Sequence, residues 1–190
     1  MTQSPGPLPS FVAIDFETAN ASRDSACAIG ITRVEEETVV AQCSRLIRPP
    51  TQDFDYFCTR IHGLRWSDVW REPTFGDLWA DIEYLFADIV FIAAHNASFD
   101  RSVLRACCEL YELQMPSSPF VDTVKLARKS WNLPSVKLSK VCEHLEFPLN
   151  HHEAGSDAAA CAHIILRAPI DEVTRLIPER SKAQQRLGKG

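Results

Sequence analysis

Two carboxylates two residues apart, Asp15 and Glu17, close the run Phe11-Val12-Ala13-Ile14-Asp15-Phe16-Glu17-Thr18. Four apolar, largely β-forming residues open that run and predict a buried strand. Side chains at i and i+2 on a strand share a face, so the two acids stand side by side at its end. Their mutual repulsion is on the order of 1 kcal/mol in water and grows with burial. A divalent cation between them relieves it, and hard oxygen ligands suit Mg²⁺ and Mn²⁺. Spacing alone does not decide the matter: with 25 acidic residues in 190, an Asp-x-Glu arises by chance about once. A second one, Asp81-Ile82-Glu83, lies where Phe75, Leu78, Trp79, Ile82 and Leu85 recur at helical spacing. On a helix, i and i+2 diverge by about 200°, so this second pair is predicted to be a solvated helix face.

The rest of the chain must build a scaffold for the first pair. At 45% hydrophobic residues, 190 residues can bury a full core as one domain. The net charge of −5 carries no global basic footprint for nucleic acid. An acidic enzyme can still hold phosphates through metals and a local basic strip. Seven cysteines, an odd number without a Cys-x-x-Cys pair, predict reduced core thiols and a cytoplasmic protein. No apolar run reaches the length of a membrane span, and no membrane partner is expected. Residues 1–10 read as a disordered lead, 11–180 as a single domain and 181–190 as a polar tail.

Cys27 to Val34 and Thr38 to Ile47 predict two further strands joined through the solvated turn Glu35-Glu36-Glu37, making an antiparallel meander with the first. Thr51 to Pro73 is irregular. A helix over Phe75 to Phe86 precedes Ile89 to Ala94, a continuous apolar run expected of a strand buried on both faces. Helices then follow over Ser98–Leu113, Asp122–Lys129, Val136–Leu145, Ser156–Arg167 and Ile170–Ile177, with a short strand at Phe120-Val121. The pattern predicts an α/β protein, a mixed five-stranded sheet with helices on both faces.

Three loci deliver an acid at the start of a helix or the end of a strand: Asp15 with Glu17, Asp100, and Asp157, the last preceded five positions earlier by His152. This ordered set resembles the three exonuclease motifs of the DEDDh (DnaQ-like) 3′–5′ exonuclease superfamily, which includes the proofreading subunit of bacterial replicative DNA polymerase and RNase T. The resemblance runs from Phe11 to Arg167. Ile61-His62-Gly63 looks like the nucleotide-proximal turn, and His95-Asn96-Ala97-Ser98-Phe99-Asp100 like the second motif. The usual Thr-Thr-Gly after the first Glu is here Thr18-Ala19-Asn20, where Asn20 can adopt the left-handed backbone of a Gly. The resemblance implies an RNase H-like fold.

It also implies two divalent metal ions, Mg²⁺ or Mn²⁺, held by Asp15, Glu17, Asp100 and Asp157, with His152 as general base. His152 is expected in a mobile loop whose Gly155 lets the ring swing over substrate, and His151 is expected to face the other way. His-x4-Asp occurs a second time, at His95/Asp100, and there a structural hydrogen bond is expected of the histidine. Thr18, Ile61, His62, Asn96 and Phe99 are the implied substrate contacts, although plain core packing is an equal reading of Phe99. Arg101, Lys125, Arg128, Lys129, Lys137 and Lys140 form either a strip for the strand backbone or solvated helix faces.

The implied activity is hydrolysis of the 3′ ends of single-stranded DNA to nucleoside 5′-monophosphates. Trimming of RNA is the alternative within the same chemistry. A non-catalytic nucleic-acid-binding or polymerase-accessory module is the alternative outside it. A polymerase or repair partner is not readable from the residues.

Overall fold

The computed structural model describes residues 6–178. Five strands form one sheet: β1 (Phe11–Thr18), β2 (Ala26–Glu35), β3 (Thr38–Leu46), β4 (Phe91–Ala94) and β5 (Phe120–Asp122). Their order is β3-β2-β1-β4-β5. The first three strands pair antiparallel, whereas β4 runs parallel to β1 and β5 parallel to β4. This is the expected mixed sheet with its opening meander. Its turn is as the triple glutamate predicts, with Glu36 and Glu37 in the left-handed region.

The alternation of β1 divides the core. Val12, Ile14 and Phe16 face one apolar layer, together with residues of α3 (Phe75–Ile82) and α4 (Ser98–Leu110). Phe11 and Ala13 face the opposite layer, built with α5 (Thr123–Ser130), α6 (Leu138–His144), α7 (Ala154–Arg167) and α8 (Ile170–Leu176). Asp15 and Glu17 extend the second row by strand periodicity, so their side chains project toward α7.

Three expectations change. The stretch after β3 is not irregular throughout: it contains α1 (Tyr56–His62) and α2 (Trp66–Val69). Asp55 caps α1 by accepting from the amides of Phe57 and Cys58, and Gly63 ends it at φ 80°. α1 buries none of its residues, so it lacks the apolar stripe by which a helix is recognised. Leu8 and Ser10, expected within a disordered lead, are instead packed and hydrogen-bonded. Leu8 is 7% exposed in the second core layer, and the Ser10 carbonyl accepts from Val90 N at 2.9 Å. Residues 1–5 and 179–190, with the expected polar tail, lie outside the described residues. Finally, Asn20 is not left-handed; its side chain bridges the turn by donating to the Asp53 carbonyl and accepting from Ser22 N. Among the described residues, no helix is long and apolar enough to cross a membrane.

Candidate active site

The end of β1 meets the first turns of two helices. Asp15 and Glu17 come from the strand, Asp157 from the first turn of α7, and one carboxylate oxygen from each lies within 4.8 Å of the others. Asp100, in the first turn of α4, is 2% exposed and accepts from Phe16 N at 3.0 Å, which locks that helix to the strand between the two acids. Both helical aspartates sit where a helix dipole favours negative charge.

A glycine allows this convergence. Gly30 pairs across the sheet with Asp15, and a Cβ at Gly30 would fall 1.9 Å from the Ala154 carbonyl oxygen. The start of α7 therefore rests on the bare backbone of β2, opposite the acid it complements. Glu153 caps that helix, accepting from Gly155 N at 3.1 Å and Ser156 N at 2.7 Å, and Ser44 of β3 donates to it at 2.9 Å. None of Gly30, Ser44 or Glu153 was a candidate from the residues alone. An isolated Gly within a strand run is nevertheless a signal of close backbone approach, and an acid just before a helix is a signal of capping.

The electrostatics follow from the crowding. Burial, then Asp100, Asp157 and Glu17, push the Asp15 carboxyl well above the usual range. Burial, then Asp157 and Asp100, raise Glu17 to about 8. Asp100 rises to about 7, chiefly through burial, and burial also raises Asp157. Among the described residues, no Lys or Arg forms an ion pair with any of the four. Clustered carboxylates that repel one another and have no Lys or Arg partner among the described residues fit divalent metals with a preference for oxygen ligands.

The histidines divide sharply. His95 is bound at both ring nitrogens, Nε2 donating to the Val136 carbonyl at 2.9 Å and Nδ1 meeting Thr123 Oγ1 at 2.9 Å. It has the structural hydrogen bonds expected of it. His152 has φ 68° and donates its backbone N–H to Asp157 Oδ2 at 3.1 Å. Burial, then His151, hold its imidazole below the usual range.

Two expectations are corrected here. His151 does not face away: its Nδ1 is 3.0 Å from Asp157 Oδ2, and its ring stacks on that of His152 at 3.7 Å. Gly155 is not a hinge in a loop but lies in the first turn of α7, its amide bound by Glu153. The Asp157 carboxylate and the Glu153 cap anchor this segment at both ends.

A cavity of about 750 Å³ opens over the acids. Of the candidate residues it brings together Asp15, Glu17, Asn96, Phe99, Asp100, His152 and Asp157. Arg128 and Lys137 of the candidate basic strip also line it. Phe99 lines the cavity and packs on the first core layer, with the Arg23 guanidinium 4.6 Å above its ring. Ile61 and His62 lie instead on an adjoining cavity of about 280 Å³ that shares Glu17, His151 and His152 with the first. Thr18 lines neither. The residue is 7% exposed, and its carbonyl meets His62 Nε2 at 3.2 Å. Because Leu64 N donates to His62 Nδ1, it is Nε2 that carries the proton and donates to Thr18.

Five strands in this order, with four acids and a histidine at the end of the first strand, define an RNase H-like fold of the DEDDh exonuclease type. The RNase T family model, described as exonuclease, matches residues 12–165. The chain belongs to that family, within the DnaQ-like 3′–5′ exonuclease superfamily. It is 29% identical over 161 residues to the PolC-type DNA polymerase III of Thermotoga petrophila, covering 83% of this chain but 12% of that protein's length. Exonuclease X, solved in complex with 5′-overhanging duplex DNA, superposes with a TM-score of 0.66 at 23% identity, over 87% of this chain and 92% of that one. The nuclease domain of 3′hExo, a DEDDh family member bound to rAMP, gives 0.68 at 17% identity, over 84% and 91%. These two likenesses concern the fold.

Proposed function

We propose that this protein is a metal-dependent 3′–5′ exonuclease that removes nucleotides from single-stranded DNA ends and releases nucleoside 5′-monophosphates. The observation that carries the reading is the meeting of Asp15, Glu17 and Asp157 oxygens within 4.8 Å on the wall of an open cavity. In this reading Asp15, Glu17 and Asp157, with Asp100 beside them, hold two divalent ions, Mg²⁺ or Mn²⁺. Such ions lower the pKa of an attacking water and stabilise the leaving 3′ oxygen.

The protein's own groups supply the rest. The water oxygen bonds to phosphorus as the bond to the 3′ oxygen breaks, and the water's proton passes to the His152 ring. That ring is neutral at physiological pH because burial holds its pKa down. Asn96 and Phe99 on one side, and Ile61 and His62 on the other, grip the terminal base and sugar, while Thr18 acts through its carbonyl by orienting His62. Arg128 and Lys137 face the strand's phosphates.

The PolC-type relative, a DNA polymerase, supports DNA as the substrate. Removal of a nucleotide from an unpaired 3′ end fits such a relative. Seven free cysteines support a reducing compartment, the cytoplasm. The test uses DNA and RNA oligonucleotides labelled at either end, with Mg²⁺, Mn²⁺ or chelator. The 5′-labelled DNA strand should shorten stepwise, the 3′-labelled one should release mononucleotide at once, and chelator should abolish both. Cleavage of a circular single strand, or full activity after exhaustive chelation, defeats the proposal. Faster cleavage of RNA would move it to a ribonuclease.

A further inference from the structure

We propose that His151, His152 and Asp157 form a second cation site, selective for Zn²⁺ over Mg²⁺. One ligand atom from each lies within 4.8 Å of the others, a cluster distinct from the all-carboxylate set although it shares Asp157. His151 has no part in the proposed reaction, yet Asp157 holds it at the site. Its Nδ1 lies 3.0 Å from Asp157 Oδ2 and 3.3 Å from Oδ1. In a tetrahedral zinc site, with metal–ligand bonds of about 2.0–2.2 Å, neighbouring ligand atoms stand roughly 3.4 Å apart. A zinc ion can therefore replace the shared proton with little movement of either group. The His152 ring, stacked 3.7 Å from that of His151 and solvent-exposed, reaches the same point by a side-chain rotation.

The donor types decide the selectivity. Two imidazoles and one carboxylate suit zinc, which tolerates three protein ligands and a water. Magnesium demands near-octahedral oxygen coordination, and imidazole serves it poorly. Two consequences follow if the proposed reaction is right, and this step rests on that reading. Zinc at this site occupies the ring of the general base and draws Asp157 away from the carboxylate set. Zn²⁺ is then an inhibitor at concentrations where Mg²⁺ supports hydrolysis.

The experiment is calorimetric titration of ZnCl₂ into the metal-free full chain, for wild type, His151→Gln, His151→Ala and Glu17→Gln, each with a melting curve. His151→Gln keeps a donor to Asp157 while removing the imidazole, which protects the result against a folding defect in His151→Ala. The tightest zinc-binding phase should be present in wild type and Glu17→Gln and absent in both His151 variants, and excess Mg²⁺ should weaken it only in part, through the shared Asp157. Zinc binding that survives in His151→Gln and vanishes in Glu17→Gln would place the ion among the carboxylates and overturn the proposal. Failure of the exonuclease assay leaves this isotherm untouched, so the two readings fail separately.

Discussion

The chain contains two His-x4-Asp pairs, and the fold uses them in opposite ways. In the first, His95 follows β4 and turns inward, tying the Thr123 hydroxyl to the Val136 carbonyl, while Asp100 fastens α4 to the Phe16 amide. In the second, His152 takes a left-handed backbone so that its amide, not its ring, binds Asp157, and the ring is left on the cavity wall. Both aspartates sit in the first turn of a helix beside the same two acids. The difference lies in what precedes them. A buried strand end has polar groups on all sides with which a ring must pair, whereas a capped loop can satisfy its backbone locally and leave a side chain available.

Replacing each histidine sharpens that comparison most. With His152 as the base, His152→Ala should lower kcat by roughly 10²–10⁴-fold, with Mn²⁺ binding and Tm nearly unchanged. His95→Ala should act on stability instead, costing about 1–3 kcal/mol because the Val136 carbonyl loses its donor, whereas Thr123 keeps the Ala94 carbonyl. Rates paired with melting curves read both. A folded His95→Ala that is inactive, beside an active His152→Ala, would exchange the roles of the two pairs.

Gly30→Ala probes the seat of the second pair alone. The new Cβ would lie 1.9 Å from the Ala154 carbonyl and 2.6 Å from Gly155 N, and backbone cannot move aside as a flexible side chain does. Such overpacking typically costs about 1–3 kcal/mol. The displaced start of α7 carries Asp157, so the variant should also bind Mn²⁺ more weakly, as measured by calorimetry on the fraction that remains folded. Unchanged metal affinity would mean that α7 shifts as a rigid body without moving its carboxylate.

Much of this is legible in the residues alone. β1 and its acids could be read because strand alternation and chemistry coincide at Asp15 and Glu17. The solvated pair Asp81/Glu83 could be dismissed because helical spacing separates it, and both residues are indeed exposed. α7 starts at Ala154, two residues before the Ser156 that the sequence predicts, because Gly155 resembles a loop residue while its amide is bound by Glu153. The facing of His151 was not legible at all. It depends on a single positive φ at His152 and on a hydrogen bond across six residues, neither of which has a periodic signature.

Glu17 feels the aspartates of both pairs, Asp157 before Asp100, after the larger effect of its own burial. It titrates near 8 in the folded protein against its ordinary 4.5. Between those values the native state holds a proton that the unfolded chain has released, so stability falls as pH rises through this window. Glu17→Gln removes the titration. In chelator, its melting temperature should exceed that of wild type at pH 8, and the gap should close toward pH 5. A gap independent of pH would mean that Glu17 is solvated and that the aspartates do not reach it.

The smallest effect should come from Ser44→Ala, which tests whether the loop before Asp157 is held as firmly as the strand end before Asp100. Ser44 donates one hydrogen bond to Glu153, whose carboxylate also caps α7 through the amides of Gly155 and Ser156. With those two amide bonds intact, the loss should stay near the lower end of about 0.5–1.5 kcal/mol, since the bond is solvent-exposed. Hydrogen exchange at the Gly155 and Ser156 amides should quicken slightly, and kcat should stay far closer to wild type than in His152→Ala. If Ser44→Ala instead lowers kcat as severely as His152→Ala at an unchanged melting temperature, then β3, and not the Glu153 cap, holds the His152 ring in place. The exposed pair would then depend on long-range contact as much as the buried one does.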